Sequence, residues 1–213
     1  MAAVWSDPEH VAGYLSREIP NRDLAEALLL EVIGDRVERF LDLGCGDGRM
    51  LALVRSQSPG AHGVGVDLSA LMLQRAESRF AGDPYVALCH HDLDEPLDDI
   101  AAVTAAAPFD VVVSALAIHH LRDERKRTLI SEVHDLLAPG GVFANLDLVC
   151  SASRAQHERF RRAIGTREDD PSDRLAPLCD QLGWMTQAGL TEVDCHFKWL
   201  ELVLMVGVRA PIA

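Results

Sequence analysis

Aromatic residues make up only 5% of this 213-residue chain, and no basic stretch is longer than Arg125-Lys126-Arg127. Acidic residues outnumber basic ones by 33 to 20, which gives a net charge of −13. Nucleic-acid and anionic-membrane binders replace counterions with a basic face. Both partners are therefore disfavoured. The five cysteines (Cys45, Cys89, Cys150, Cys179, Cys195) are odd in number, widely spaced and contain no CxxC. That excludes a disulfide framework and a zinc ribbon. Four lie in apolar strand-like or helix-like settings and are expected to be reduced, buried thiols, which fits a cytoplasmic location. The first residues lack the basic and apolar regions of a signal peptide. No apolar run outlasts Leu202-Val203-Leu204-Met205-Val206, far short of the roughly 20 residues a spanning helix needs. There is no internal repeat and no low-complexity linker. With 48% hydrophobic and 25% charged residues the composition is globular. A chain this long buries about 70% of its unfolded surface and needs no staple. One domain over residues 1–213 is expected.

What is present is an alternation of strand and helix patterns. Helices are predicted at residues 8–17 and 22–34, split by Pro20. Strands are predicted at 37–43, 63–66, 85–90, 109–115 and 141–149, with helices at 49–57, 69–80 and 123–137 between them. The Ala-rich stretch 100–107 reads as a short connecting helix or loop. Helices at 153–164 and 172–188 follow, then strands at 192–199 and 202–209. Strands separated by helices imply a parallel sheet with right-handed crossovers. The tightly joined closing pair must be antiparallel.

The most informative segment is Phe40-Leu41-Asp42-Leu43-Gly44-Cys45-Gly46-Asp47-Gly48-Arg49. It leaves a buried strand and enters a helix. The glycines bare the backbone where it must turn and touch a ligand, and such a loop lies at the carboxyl ends of the strands. A dinucleotide loop would carry its third glycine at position 49, where Arg49 stands, so a nicotinamide oxidoreductase is disfavoured. No Gly-Lys-Ser/Thr follows, so it is no P-loop. Asp42 before the loop and Asp47 within it suit a ligand with positive charge. Asp67, at the end of the second strand, is placed to accept both ribose hydroxyls of an adenosine. Asp92, after the third, is placed to accept from an adenine amino group.

The run Asp42 to Gly48 resembles motif I of the class I S-adenosylmethionine-dependent methyltransferases. Asp67 matches their ribose-binding acid and Asp92 their adenine-side acid. Phe109-Asp110-Val111-Val112-Val113-Ser114 resembles their fourth-strand motif, and Leu136-Leu137-Ala138-Pro139-Gly140-Gly141 the turn before strand five. The matches run in the family's order. The resemblance implies a Rossmann-like α/β fold: a seven-stranded, mostly parallel sheet with an antiparallel last strand and helices on both faces. It implies S-adenosyl-L-methionine as cofactor and S-adenosyl-L-homocysteine as product, held by Asp42, Gly44, Cys45, Gly46, Asp67, Leu68, Asp92, Leu93 and Ser114. It divides the chain into N-terminal lid helices (1–35), a cofactor-binding core (36–150), lid or insert helices (151–190) and a closing hairpin (191–213).

A methyl sulfonium is electrophilic without help, so the protein supplies positioning and desolvation. A base is needed only for a nucleophile that arrives protonated. His119 and His120, after strand four, are the candidates. In the family a His-His-Leu here often packs the helix start instead. Tyr14 is the candidate lid contact, or else an aromatic anchor for its helix. No metal site is expected, because His90, His91 and Asp92 are neighbours on a strand and point to opposite faces. The fourth-strand exit, Ser114-Ala115-Leu116-Ala117, lacks the Pro-Pro-aromatic run of nucleic-acid amine methylation and the magnesium acids of catechol-type relatives. Arg161, Arg162 and Arg167 are read as a solvated face balancing Glu158, Glu168, Asp169 and Asp170. Trp199 is read as either core or interface, and Phe197 and Trp199, sharing a face of an outer strand, are a pair that can seed a homodimer. The expected function is methyl transfer to a small molecule. The alternative is a cofactor-binding protein that does not transfer methyl.

Overall fold

The computed structural model describes residues 2–166 and 168–212, so Arg167 lies outside them. The chain opens with two short helices, α1 (Ala2–Trp5) and α2 (Pro8–Ser16). Asp7 caps α2 by accepting from Glu9 N, and Pro8 occupies the first helical turn, where no amide is needed. Helix α3 (Arg22–Ile33) ends at Gly34. Then β1 (Arg39–Leu43), α4 (Arg49–Gln57), β2 (His62–Asp67), α5 (Ala70–Arg79) and β3 (Val86–His90) alternate. The Ala-rich stretch forms α6 (Ala101–Ala106), followed by β4 (Phe109–Ala115), α7 (Asp123–Leu136) and β5 (Leu137–Leu148). Helices α8 (Arg154–Ala163) and α9 (Leu178–Gln187) precede the hairpin β6 (Leu190–Trp199) and β7 (Leu202–Arg209).

The seven strands lie in the order β3-β2-β1-β4-β5-β7-β6. All neighbours pair in parallel except β7, which runs antiparallel to both β5 and β6. The strand order reverses between β1 and β4, and open sheets of this kind bind ligands at the carboxyl ends beside that point. Strand alternation sends Leu41 and Leu43 into the core under α6, α7 and α9, while Phe40 enters the core under α3 and α4. Asp42 shares the face of Phe40 and emerges at the strand's open end.

Three expectations need correction. The last long helix begins at Leu178, not at 172. Pro171 and Pro177 break the periodic stretch, and residues 173–177, outside any helix or strand, cross the carboxyl ends of β4 and β5. Arg174 N there donates to His119 O and Cys150 N to Ala176 O, at 2.9 and 3.0 Å. Helix α9 packs on α7 and β6, with Trp184 and Met185 buried, so it is core and not lid. Of the cysteines only Cys45 is buried. Cys89 and Cys195 sit on the two edge strands, and Cys150 and Cys179 are exposed. Finally, Phe197 and Trp199 pack onto the chain's own core, Trp199 edge-on to Phe160 of α8 at 6.1 Å. Of the two readings of Trp199, this is the core one, and both side chains stay partly exposed. Among the described residues no helix is long and apolar enough to cross a membrane.

Candidate active site

The glycine loop supplies bare backbone. Gly44 has φ +72°, and a Cβ there would stand 2.2 Å from the Ala117 Cβ. Gly46 has φ +54° and would press on Met72. Left-handed backbone of this kind favours glycine. Gly44 N and Cys45 N both donate to Val66 O, which pins the loop to the end of β2. Arg49, standing where a dinucleotide loop would have glycine, grips the buried Glu26 of α3 through Nε and Nη2. Arg22 holds the same carboxylate at 2.7 Å, so α3 is clamped against the loop.

Two acids face this cradle. Asp67 accepts from Gly46 N at 2.8 Å and from Ser69 N at 2.7 Å, keeping lone pairs for a further donor. Burial holds its pKa above the ordinary value even so. Asp42 is 1% exposed, and neither carboxylate oxygen has a hydrogen-bond partner. Burial, aided by the charge of Asp67, lifts its pKa to about 8. A buried carboxylate without a partner is costly. It becomes favourable when a cationic ligand group arrives beside it, so the residues present fit an amino-acid ammonium and a sulfonium.

Three clefts meet here. Asp42, Gly44, Cys45 and Ala115 line the first. Cys45 lines it by its backbone, since its thiol is turned inward against Gly65. Asp67, Leu68, Asp92 and Leu93 line the second, under Trp5. Asp92 Oδ1 is engaged by Asp94 N at 3.0 Å, which fixes its orientation. Ser114 reaches neither cleft. Its hydroxyl is fully buried and donates to Leu43 O at 2.8 Å, tying β4 to β1, so the site reading for Ser114 is corrected to a structural one.

The third cavity lies under α8, lined by His119, His120, His157, Arg161 and Asp173. Tyr14 lines all three clefts. Its ring meets Trp5 edge-on at 5.1 Å, and Trp5 in turn meets His120 at 5.5 Å. The ring contact with Trp5 fits the aromatic-anchor reading of Tyr14, and the same side chain stands where the three clefts meet. Burial raises its pKa, with Asp67 adding and Arg22 opposing.

The two histidines differ. His119 Nδ1 is 2.5 Å from Asp147 Oδ1. Burial opposes charge, but Asp147 and Asp173 prevail and raise its pKa to about 9. His120 lies against it at 4.0 Å between ring centres. Burial and the His119 charge lower His120 to about 4. The two carboxylates beside His119 and the burial of His120 thus favour a single proton for the pair, on His119. The residues that sequence reasoning missed are Asp147, Asp173 and Glu201. Asp147 and Glu201 are buried, and Glu201 accepts from His157 of α8 at 2.8 Å, burial and partner being invisible along the chain. Arg161 stands 3.5 Å from Asp169, one of the acids it was expected to balance, and it also lines the cavity.

A family model described as a methyltransferase domain matches residues 41–143. An uncharacterized methyltransferase of Synechocystis sp. is 35% identical over 159 residues, covering 75% of this chain and 69% of the relative. One from Mycobacterium tuberculosis is 35% identical over 129 residues, covering 61% of this chain and 60% of the relative. A trans-aconitate 2-methyltransferase of Azoarcus sp. is 34% identical over 161 residues, covering 76% and 57%. The chain thus spans about 60% of the length of the mycobacterial relative. An O-methyltransferase family protein from Burkholderia thailandensis shares the fold, with a TM-score of 0.70 at 21% identity over 91% of this chain and 57% of that one.

Proposed function

This chain belongs to the class I S-adenosylmethionine-dependent methyltransferases, and we propose that it moves a methyl group from that cofactor to a small-molecule acceptor held under α8. Bound in the first two clefts, S-adenosylmethionine supplies an electrophilic methyl on sulfur and leaves as S-adenosylhomocysteine. The protein's part is placement. Asp67 accepts ribose hydroxyls, while Leu68, Asp92 and Leu93 frame the adenine. Gly44 and Gly46 let the backbone close on the ligand, and Asp42 faces its positive charge. Tyr14 separates donor from acceptor and keeps water from the reacting atoms.

The histidines narrow the acceptor. His119 already holds a proton and cannot take another. His120, lowered to about 4, is a weak base. Such a pair suits a nucleophile that arrives unprotonated, and a carboxylate oxygen is one. Arg17 lines the acceptor cavity and forms no ion pair among the described residues, which leaves it for an anionic group. The name of the Azoarcus relative, a trans-aconitate 2-methyltransferase, gives an organic acid as its acceptor and supports the same reading.

The observation that carries this proposal is the buried, unpartnered Asp42 carboxylate in a glycine cradle that opens at Tyr14 onto a second cavity. The test is transfer of label from methyl-tritiated cofactor to a panel of di- and tricarboxylic acids, with S-adenosylhomocysteine affinity measured by calorimetry. Label moving to an acid supports it. Tight cofactor binding with label moving to no acceptor pool returns the chain to the binding-protein alternative.

A further inference from the structure

We propose that His119, His120 and Asp173 form a binding site for one divalent transition-metal ion of the zinc type, opening onto the cavity under α8. The three side chains are 119 and 120 residues into the chain and more than 50 further on, so they meet only through the extended segment after Pro171. Asp173 Oδ1 stands 3.5 Å from His119 Nε2 and 3.5 Å from His120 Nδ1. That is beyond the range of about 2.7–3.2 Å for good N–H···O bonds. It matches donors that share an ion, since two ligands bound at about 2.0–2.1 Å to one tetrahedral centre stand about 3.4 Å apart. The three donor atoms all lie within 4.8 Å of one another.

What surrounds them supports the assignment independently. A ligating histidine ordinarily gives its other ring N–H to a carboxylate. His119 Nδ1 has that partner in Asp147, a fully buried residue whose second oxygen has no hydrogen bond. Ser172 Oγ is 2.6 Å from Asp170 Oδ1 and 3.1 Å from His120 Nδ1. The Ser172 hydroxyl donates to Asp170, so toward His120 its Oγ accepts from Nδ1, and an ion bound at Nδ1 displaces that proton to Nε2. An ion at His119 Nε2 displaces the extra proton of that ring, and the two neutral imidazoles then leave Asp173 and Asp147 to balance a charge of +2. Three protein ligands leave one position open, as at catalytic zinc sites, and the cavity is on that side. On the methyl-transfer reading above, the open position takes one oxygen of a carboxylate acceptor and leaves the other for the methyl. The metal site itself does not depend on that reading. The sequence expectation of no metal considered only the run His90-His91-Asp92, whose His91 Nε2 here lies 3.3 Å from Glu95 O.

The test uses the untagged full chain, stripped with chelator and then titrated with Co²⁺ by visible absorption and Zn²⁺ by calorimetry. One ion per chain at micromolar affinity, with the visible bands of low-symmetry Co²⁺, is expected. Asp173→Asn, a change at a partly exposed loop position that leaves the core untouched, should weaken binding at least tenfold. Asp147→Asn should weaken it 10- to 100-fold, as loss of a supporting carboxylate does. Asp98→Asn, remote from the site, should change nothing. Absence of saturable binding up to about 1 mM ion, or equal affinity in Asp173→Asn and the parent, overturns the site. Calorimetry with S-adenosylhomocysteine is run on the same samples. Cofactor binding without metal binding sinks the metal site alone, and the reverse sinks the cofactor reading alone.

Discussion

Asp42 is the residue whose chemistry is most exposed to experiment. Its pKa is about 8 in the folded chain against an ordinary 3.8. The folded state therefore holds a proton that the unfolded state gives up as pH rises from about 4 to about 8. The stability tied to that proton is complete below the lower value and gone above the higher one. Asp42→Asn should flatten this part of the pH–stability curve, read by urea unfolding at pH 5, 7 and 9. A variant whose slope matches the parent would show that Asp42 ionises normally. A cationic ligand draws the carboxylate back to its charged form, so cofactor binding below pH 8 should release a proton. Calorimetry in two buffers of different ionisation enthalpy measures that release. Asp67→Ala removes the acceptor of the ribose hydroxyls, and cofactor affinity should fall at least tenfold, about 1.4 kcal/mol. Unchanged affinity would end that assignment.

At the scale of elements, the glycine loop and helix α8 behave oppositely. Gly44→Ala drives a Cβ into Ala117 at left-handed φ, so cofactor binding should vanish in calorimetry while far-ultraviolet dichroism keeps its strand and helix signal. Helix α8 is anchored by a single buried residue, Phe160. Phe160→Ala should cost about 3 kcal/mol at that helix. Hydrogen exchange should quicken across residues 154–163 and stay slow in β5 and β7. Uniform acceleration across the sheet would mean that α8 is not a separable unit. These elements were legible to different degrees. The glycine loop reads directly because three residue types with narrow backbone preferences sit together, and β1 to β5 read from their apolar runs. The helical start at 178 did not, because Leu175, Ala176 and Leu178 continue an apolar rhythm that only Pro177 interrupts. The candidate cofactor acids were legible from the strand pattern, since Asp42 lies near the end of β1, Asp67 ends β2 and Asp92 follows β3. The acceptor cavity was not, because His119 finds Asp147 at a separation of 28 residues and Asp173 farther still.

For the molecule as a whole, two buried acids around an open cleft mean that the ligand-free state is strained electrostatically. S-adenosylhomocysteine at 100 times its dissociation constant should add about 2.7 kcal/mol of stability. For a chain of this size that raises the melting temperature by about 5–10 °C. A thermal shift that fails to grow with ligand concentration would contradict specific binding. The reversed strand was readable from the closing hairpin, because two strands so tightly joined cannot both continue the parallel set, whereas the order of the strands was not.

The segment after Pro171, stitched to His119 O and to Cys150 N, brings one late stretch of chain to the acceptor cavity that the nucleoside clefts do not use. On the proposed reading the nucleoside lies against residues 42–93, whereas Asp173 and the α8 wall belong to 147–201. A lineage can therefore retarget the enzyme by rewriting one cassette late in the gene while leaving the nucleoside grip unaltered, and a graft of residues 151–177 between two such proteins should carry substrate preference with it.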